Sequence, residues 1–263
     1  MTPITIITIT YNAAAVIDRT LDSVFNQTHP QVEHIIVDGA STDDTMTRVN
    51  AYRNRHTARM AGRRIVVKSE PDKGIYDAMN KGLALARGAY VCFLNAGDTL
   101  HDAGTLARVA AVAGKSARES GSDILPAVVY GRTDIVDTEG RFLHPRRLQP
   151  PERLTWRSFM HGMLVCHQAF YARTDIAQAT RYDLSYRHSA DVDWCIRVMK
   201  AAAKARLPLV SADAVLADYQ QLGHTTANHG ASLRERFKVM SRHYGLPATV
   251  AMHMWFVIRK IWS

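Results

Sequence analysis

Along the first hundred residues, short apolar runs alternate with apolar residues at helical spacing. Ile4 to Ile9 are β-branched throughout, which reads as a short buried strand. Ile17, Leu21, Val24 and Phe25 then keep the i, i+4, i+7, i+8 spacing of one apolar helix face, and QTHP ends it. HIIVDG is a second strand, STDDT caps a basic helix, and RIVVKSE is a third strand. GIYDAMNKGLALARG predicts a further helix with Ile75, Met79, Leu83 and Ala86 inward, leading into AYVCFLNAGD. Strands alternating with helices imply right-handed crossovers, a mostly parallel sheet and an α/β fold.

The second half mixes its elements. An alanine-rich helix is expected over about 103 to 118, and AVVYGRTDIVDTEGRFLHP carries a hairpin turn at TEG. MLVCHQAFYAR predicts a strand, DVDWCIRVMKAAAKA a helix, and LPLVSADAVLADY a late strand. No repeat or low-complexity linker divides the chain, so one domain over 1–230 is expected, with halves at 1–100 and 101–230. Residues 231–263 form a helical appendage in this reading.

Composition narrows the functional classes. Three widely spaced cysteines, Cys92, Cys166 and Cys195, offer neither a disulfide framework nor a CxxC metal cluster. The amino terminus lacks the basic region and cleavage site of a signal peptide, so a cytoplasmic location is expected. The net charge of +9 suits anionic lipid, nucleic acid or phosphorylated substrates and does not choose among them. Arg53, Arg55, Arg59, Arg63 and Arg64 form one basic group, read equally as a solvated helix face. No nucleic-acid-binding motif accompanies the charge, so no nucleic-acid partner is expected.

The chemistry gathers where strands end. There is no GxGxxG at the first strand-to-helix turn and no GxxxxGK[ST] after any strand, which disfavours NAD and excludes a P-loop. Thr10, Tyr11, Asn12, Asp38 and Asn95 to Asp98 instead follow the carboxyl ends of predicted strands, where open α/β sheets place ligands. Asp38 can accept a hydrogen bond from an imide N–H of a base, or make an Asx-turn. Tyr11 can stack on a base or fill core. Asp72 and Lys73 precede a helix whose free N–H groups favour anions, although Lys73 reads equally as a solvated lysine. Asp191 and Asp193 are two apart at a helix start and point in different directions.

The order of these fragments resembles family 2 glycosyltransferases of the GT-A fold. ITYN at 9–12, IIVDGASTDDT at 35–45, EPDKGIYDAMNKGLALARGAYVCFLNAGD at 70–98 and SADVDWCIR at 189–197 look like that family's successive motifs. The resemblance implies a Rossmann-like nucleotide-binding half and a mixed acceptor-side half. It assigns Asp38 to the base and Asp98 to a divalent cation, Mn²⁺ or Mg²⁺, with Asn95 and Gly97 standing where relatives usually have acids. A hard cation completes its oxygen shell from phosphate and water, so one carboxylate can suffice; a plain surface turn is the alternative.

By the same resemblance Asp191 is the general base for an acceptor hydroxyl, with Asp193 and Trp194 supporting or lining the acceptor pocket. A helix-start charge is the alternative for Asp191. His167 and Gln168 stand where some relatives carry the same pair, near donor sugar or diphosphate, or else His167 is a core histidine. His224, in QLGHTTANHG, is a further cation or phosphate ligand of a mobile loop in this reading. The implied reaction is an inverting transfer of a sugar from a nucleotide donor, UDP-linked by family habit, to a saccharide or lipid-linked acceptor. The basic, tryptophan-bearing carboxyl terminus suits an anionic membrane surface or packing onto the domain. The alternatives are a silent nucleotide-sugar-binding protein and a nucleotidyl- or phosphotransferase.

Overall fold

The computed structural model describes residues 1–57, 63–121, 123–221 and 229–261. Four parallel strands open the chain: β1 (Ile4–Thr10), β2 (Val32–Asp38), β3 (Arg64–Ser69) and β4 (Tyr90–Phe93). They lie in the order β3-β2-β1-β4. Their crossovers are α1 (Ile17–Phe25), α2 (Thr45–Thr57) and α3 (Ile75–Leu85). Every residue of β1 and β2 is buried, as expected for central parallel strands covered on both faces. Ile17, Leu21 and Val24 of α1 are buried as their spacing predicts.

The remaining elements extend the same sheet with mixed pairing. They are β5 (Thr99–Leu100), α4 (Thr105–Glu119), β6 (Val128–Val136), β7 (Phe142–Pro145), β8 (Phe170–Arg173), α5 (Thr174–Ala179), α6 (Ala190–Lys204) and β9 (Leu209–Gln220). Beyond β4 the order continues β8-β6-β9-β5, with β7 hairpinned onto β6. β4 and β6 both run antiparallel to β8, while β6 and β9 are parallel.

The register positions the site. Thr10 of β1 pairs with Asp38 of β2, and Asp38 with Ser69 of β3, so three strand ends share one edge. β4 stops at Phe93 opposite Ile7, and its continuation is held to β1 by Leu94 N to Ile7 O and Ala96 N to Ile9 O. The turn at 95–98 therefore emerges beside the end of β1.

Three expectations are corrected. MLVC is not strand: His167–Ala169 is a single 3₁₀ turn, and only Phe170–Arg173 pairs. Ile75 is 42% exposed rather than inward, because it is the first residue of α3 and lines an open cleft. The carboxyl-terminal segment is not wholly separable. α7 (His229–Tyr244) buries Val239 and Met240, its Glu235 accepts the N–H groups of Arg187, His188 and Ser189, and its Tyr244 ring stacks on Trp156. α8 (Leu246–Ile261) follows, leaving Val250, Met254, Trp255 and Ile258 exposed. No helix among the described residues is long and apolar enough to cross a membrane.

Candidate active site

At the β1–β2 edge, the loops are locked by their own side chains. Asn12 and Ala40 adopt positive φ, an unusual conformation for non-glycine residues that the surrounding hydrogen bonds hold in place. Asn12 Oδ1 accepts the Thr42 N–H at 2.9 Å, and Asp43 accepts the N–H groups of Thr45 and Ala14. Asp38 is fully buried, and its carboxylate takes the Ser41 N–H at 3.0 Å, the Ser41 hydroxyl and the Ser69 hydroxyl at 2.6 Å. Most of its acceptor capacity is thus spent on the loop, the Asx-turn alternative, and Ser41 is the group it positions. Thr10 is buried as well, and its hydroxyl has no partner among the described residues.

Tyr11 resolves the other way. It is 64% exposed, available to a flat ligand rather than part of the core. A Cβ on Gly39 would stand 2.6 Å from Asp72 Oδ2 and 3.3 Å from the Tyr11 ring, so glycine keeps these two groups close across a narrow gap. The start of α3 is partly satisfied from within: Asp72 accepts the Gly74 N–H and Asp77 the Lys73 N–H. That self-capping corrects the expectation of a fully free anion site there. Lys73 instead lines a cleft of about 550 Å³ with Ile75, Tyr76, Leu184, Tyr186 and Arg187.

The 95–98 turn is built around Asp98, which is only 4% exposed. Its Oδ2 accepts the Gln168 side-chain amide at 2.8 Å and its Oδ1 the Gln220 backbone N–H at 3.0 Å. Burial pushes its pKa up to about 6, against the lowering effect of those two neutral donors. Gly97 sits at φ +100°, and a Cβ there would stand 2.3 Å from Gln220 Oε1. The space beside Gly97 is therefore filled by Gln220. Arg19 of α1 ties the turn together, donating to Gly97 O, to Gln220 Oε1 at 3.0 Å and to Thr138 O at 3.2 Å. Asn95 Oδ1 is buried without a partner among the described residues.

These donors suit a hard divalent cation. Each Asp98 oxygen keeps a lone pair beyond its one hydrogen bond, and the orphaned Asn95 oxygen is a neutral oxygen ligand of the kind Mg²⁺ and Mn²⁺ accept. A second grouping is His101, just after β5, with Asp134 of β6 and Asp218 of β9; there His101 Nδ1 already faces Asp218 Oδ1 at 2.8 Å. His224 lies outside the described residues.

Asp191 opens α6 on the acceptor side. Tyr76 donates its hydroxyl to Asp191 Oδ1 at 3.2 Å, and His167 Nδ1 faces Oδ2 at 3.6 Å. Burial alone would raise the Asp191 pKa, but the His167 contact, the helix-start N–H and Arg236 outweigh it and hold the carboxyl below its ordinary value. Asp193 points away, as the two-residue spacing predicts. It is fully buried, paired with Arg197 at 2.6 Å and His243 at 2.8 Å, which together overcome the effect of burial and keep its pKa low. Trp194 has no exposed surface and sits at 5.0 to 5.8 Å from the rings of Tyr182, Phe93 and Phe170. Of the two expectations for Asp193 and Trp194, lining a pocket or supporting it, their full burial leaves the second.

His167 and Gln168 prove to be the connection between the two acids, since Gln168 holds Asp98 while its neighbour faces Asp191. Sequence reasoning missed Arg19, Tyr76 and Gln220. Tyr76 had a signal, a phenol one residue past an exposed helix start, whereas Arg19 and Gln220 act across 78 and 122 residues of chain and carried none.

A mostly parallel central sheet extended by mixed pairing is the architecture of the GT-A glycosyltransferases. The Glycosyl transferase family 2 model matches residues 5–178, and the chain belongs to that family. It is 37% identical over 215 residues to the PGL/p-HBAD biosynthesis glycosyltransferase of Mycobacterium bovis (strain BCG / Pasteur 1173P2), an alignment covering 81% of this chain and 75% of the relative. Among solved structures, S. aureus TarS 1-349 in complex with UDP-GlcNAc superposes with a TM-score of 0.68 at 17% identity, over 97% of this chain and 73% of that one. The chain spans 38% of the full TarS chain. Mannosyltransferase PcManGT from Pyrobaculum calidifontis, in complex with GDP-Man and Mn²⁺, gives 0.60 at 17% identity, over 95% and 74%. Asp191 lies beyond the family match, within the region these structures cover only as a fold.

Proposed function

We propose that this enzyme transfers a sugar from a nucleotide-diphosphate donor, a UDP-sugar, to a hydroxyl of a saccharide or lipid-linked acceptor, with inversion at the anomeric carbon. One observation carries the reading: a buried carboxylate and a half-buried one, shifted in opposite directions by their surroundings, are joined through consecutive residues, His167 and Gln168. Tyr11 supplies a face for the base, and Asp72 across the Gly39 gap supplies an acceptor for base or ribose. Asp98 and Asn95 would hold Mn²⁺ or Mg²⁺, and such an ion supplies Lewis-acid stabilisation of charge on the departing diphosphate. Asp191, ionised at neutral pH, accepts the proton of the attacking hydroxyl while Tyr76 keeps its orientation. With one carboxylate spent on the leaving-group side and the other on the proton, a single displacement follows.

The UDP preference is supported by the UDP-GlcNAc complex of TarS, and a glycolipid or polysaccharide acceptor by the mycobacterial relative's name. Exposed Val250, Met254, Trp255 and Ile258 on α8 support peripheral contact with an anionic membrane on its cytoplasmic side. The test is calorimetry of UDP, GDP, dTDP and CMP with Mn²⁺, with Mg²⁺ and with chelator, for wild type and Asp98→Ala. Metal-dependent tightening for UDP, lost in the variant, is expected. Absence of nucleotide binding under every condition would sink the transferase reading.

A further inference from the structure

Asn95 occupies a position where an oxygen is useful and a nitrogen is not, and a side-chain amide can present either. Its Nδ2 lies 3.3 Å from His167 Nε2, while its Oδ1 has no partner among the described residues. In this orientation the amide nitrogen donates and Nε2 accepts, which leaves Nδ1 as the ring nitrogen that carries the proton. Nδ1 faces Asp191 Oδ2 at 3.6 Å, a contact that can tighten when substrate closes the site. The side chain is 12% exposed, so water does not readily replace either partner. One imidazole thus points a donor at one functional carboxylate and an acceptor at the amide beside the other.

We propose that His167 is a positioning residue that fixes the tautomer and the amide together: Asp191 selects the Nδ1–H form, that form accepts from Asn95 Nδ2, and Asn95 is thereby held with its oxygen free for the donor side. The placement of Asp191, His167 and Asn95 stands on geometry, while the use of the freed oxygen rests on the transferase reading. The chain also explains how an amide serves where a carboxylate would need no orienting: both oxygens of an acid are alike, whereas an amide must be turned the right way.

Two variants separate the two contacts. The shorter amide of His167→Asn reaches the Nδ1 position and abandons Asn95; the longer amide of His167→Gln reaches the Nε2 position and abandons Asp191. His167→Asn is expected to weaken metal-dependent nucleotide binding by about tenfold with turnover of the bound nucleotide sugar little changed. His167→Gln is expected to retain nucleotide affinity and slow hydrolysis of the bound donor by about tenfold. Independently, ¹⁵N-histidine NMR of the wild type without ligand at neutral pH should show a protonated Nδ1 and an unprotonated Nε2 for His167. An Nε2–H tautomer, or equal losses of the same parameter in both variants, overturns the proposal, as does no loss in either. If the wild type binds no nucleotide, the transferase reading fails and takes the donor role of Asn95 with it, while the NMR result still decides the hydrogen-bond chain.

Discussion

Asp98 and Asp191 are both carboxylates at the end of an element, the first buried and the second half-buried, and their surroundings drive them apart. Asp98 receives N–H donors from Gln168 and the Gln220 backbone, with further lowering by the charges of His167 and Arg19, yet burial wins: its pKa rises to about 6. Asp191 faces His167 with Arg236 nearby, and those interactions win over burial: its pKa falls. A carboxylate with unmet electrostatic need is suited to receive a cation, and one whose charge is already compensated is suited to wait as a base. Environment rather than residue type divides the labour.

The sharpest way to break that comparison is Asp191→Asn. Donor turnover should fall by about a thousandfold, the range for a lost general base, with nucleotide affinity unchanged by calorimetry. Comparable loss of affinity would mean that Asp191 belongs to the donor side after all. Next comes Asp98→Asn, read by stability. The unfolded chain ionises Asp98 near its ordinary value of 3.8, but the folded protein only near 6. Stability from this group is therefore full at low pH and lost as pH rises between those values, by about 2 to 3 kcal/mol. In metal-free buffer at pH 8 the variant should melt above wild type, and the gap should close towards pH 4. A variant less stable than wild type at both pH values would show that Asp98 is not held at a cost.

Much of this was readable in the chain, for reasons that also mark where reading stops. The β-branched run at 4–9 and the spacing of Ile17, Leu21 and Val24 report local periodicity, and both elements formed as predicted. MLVCHQAFYAR misled because a short apolar run does not distinguish strand from any other buried segment; the Ala169 N to Cys166 O bond closes a turn instead. Trp194 beside two acids could line a pocket or support it, and packing against Phe93 and Tyr182, distant in sequence, decided between them. Asp98 was found as a position, whereas its raised pKa comes from burial that outweighs the Gln168 and Gln220 donors, whose approach no spacing announces.

Smaller effects refine the two ends. Gly39→Val should clash with Asp72 and Tyr11 and cut nucleotide affinity about tenfold, roughly 1.4 kcal/mol, without altering circular dichroism. Tyr76→Phe removes one hydrogen bond to Asp191 and should slow donor turnover only several-fold, about 1 kcal/mol, with nucleotide affinity unchanged. The mildest expected change is on α8: Met254→Ser with Trp255→Ser should reduce sedimentation with anionic vesicles and leave nucleotide binding intact.

The Gln220 contact also sets a schedule. Asp98 acquires its second hydrogen-bond donor from a residue 122 positions later, and Arg19 finds its Gln220 partner 201 positions downstream. During synthesis the first four strands can form while Asp98 is still open to water and ionises like any surface acid. Its last hydrogen bond arrives only when β9 emerges, and that bond works against the burial that raises its pKa. A polypeptide stopped at residue 178, where the family match ends, would therefore carry the whole donor-side sheet and yet lack the Gln220 N–H that helps Asp98 keep its charge.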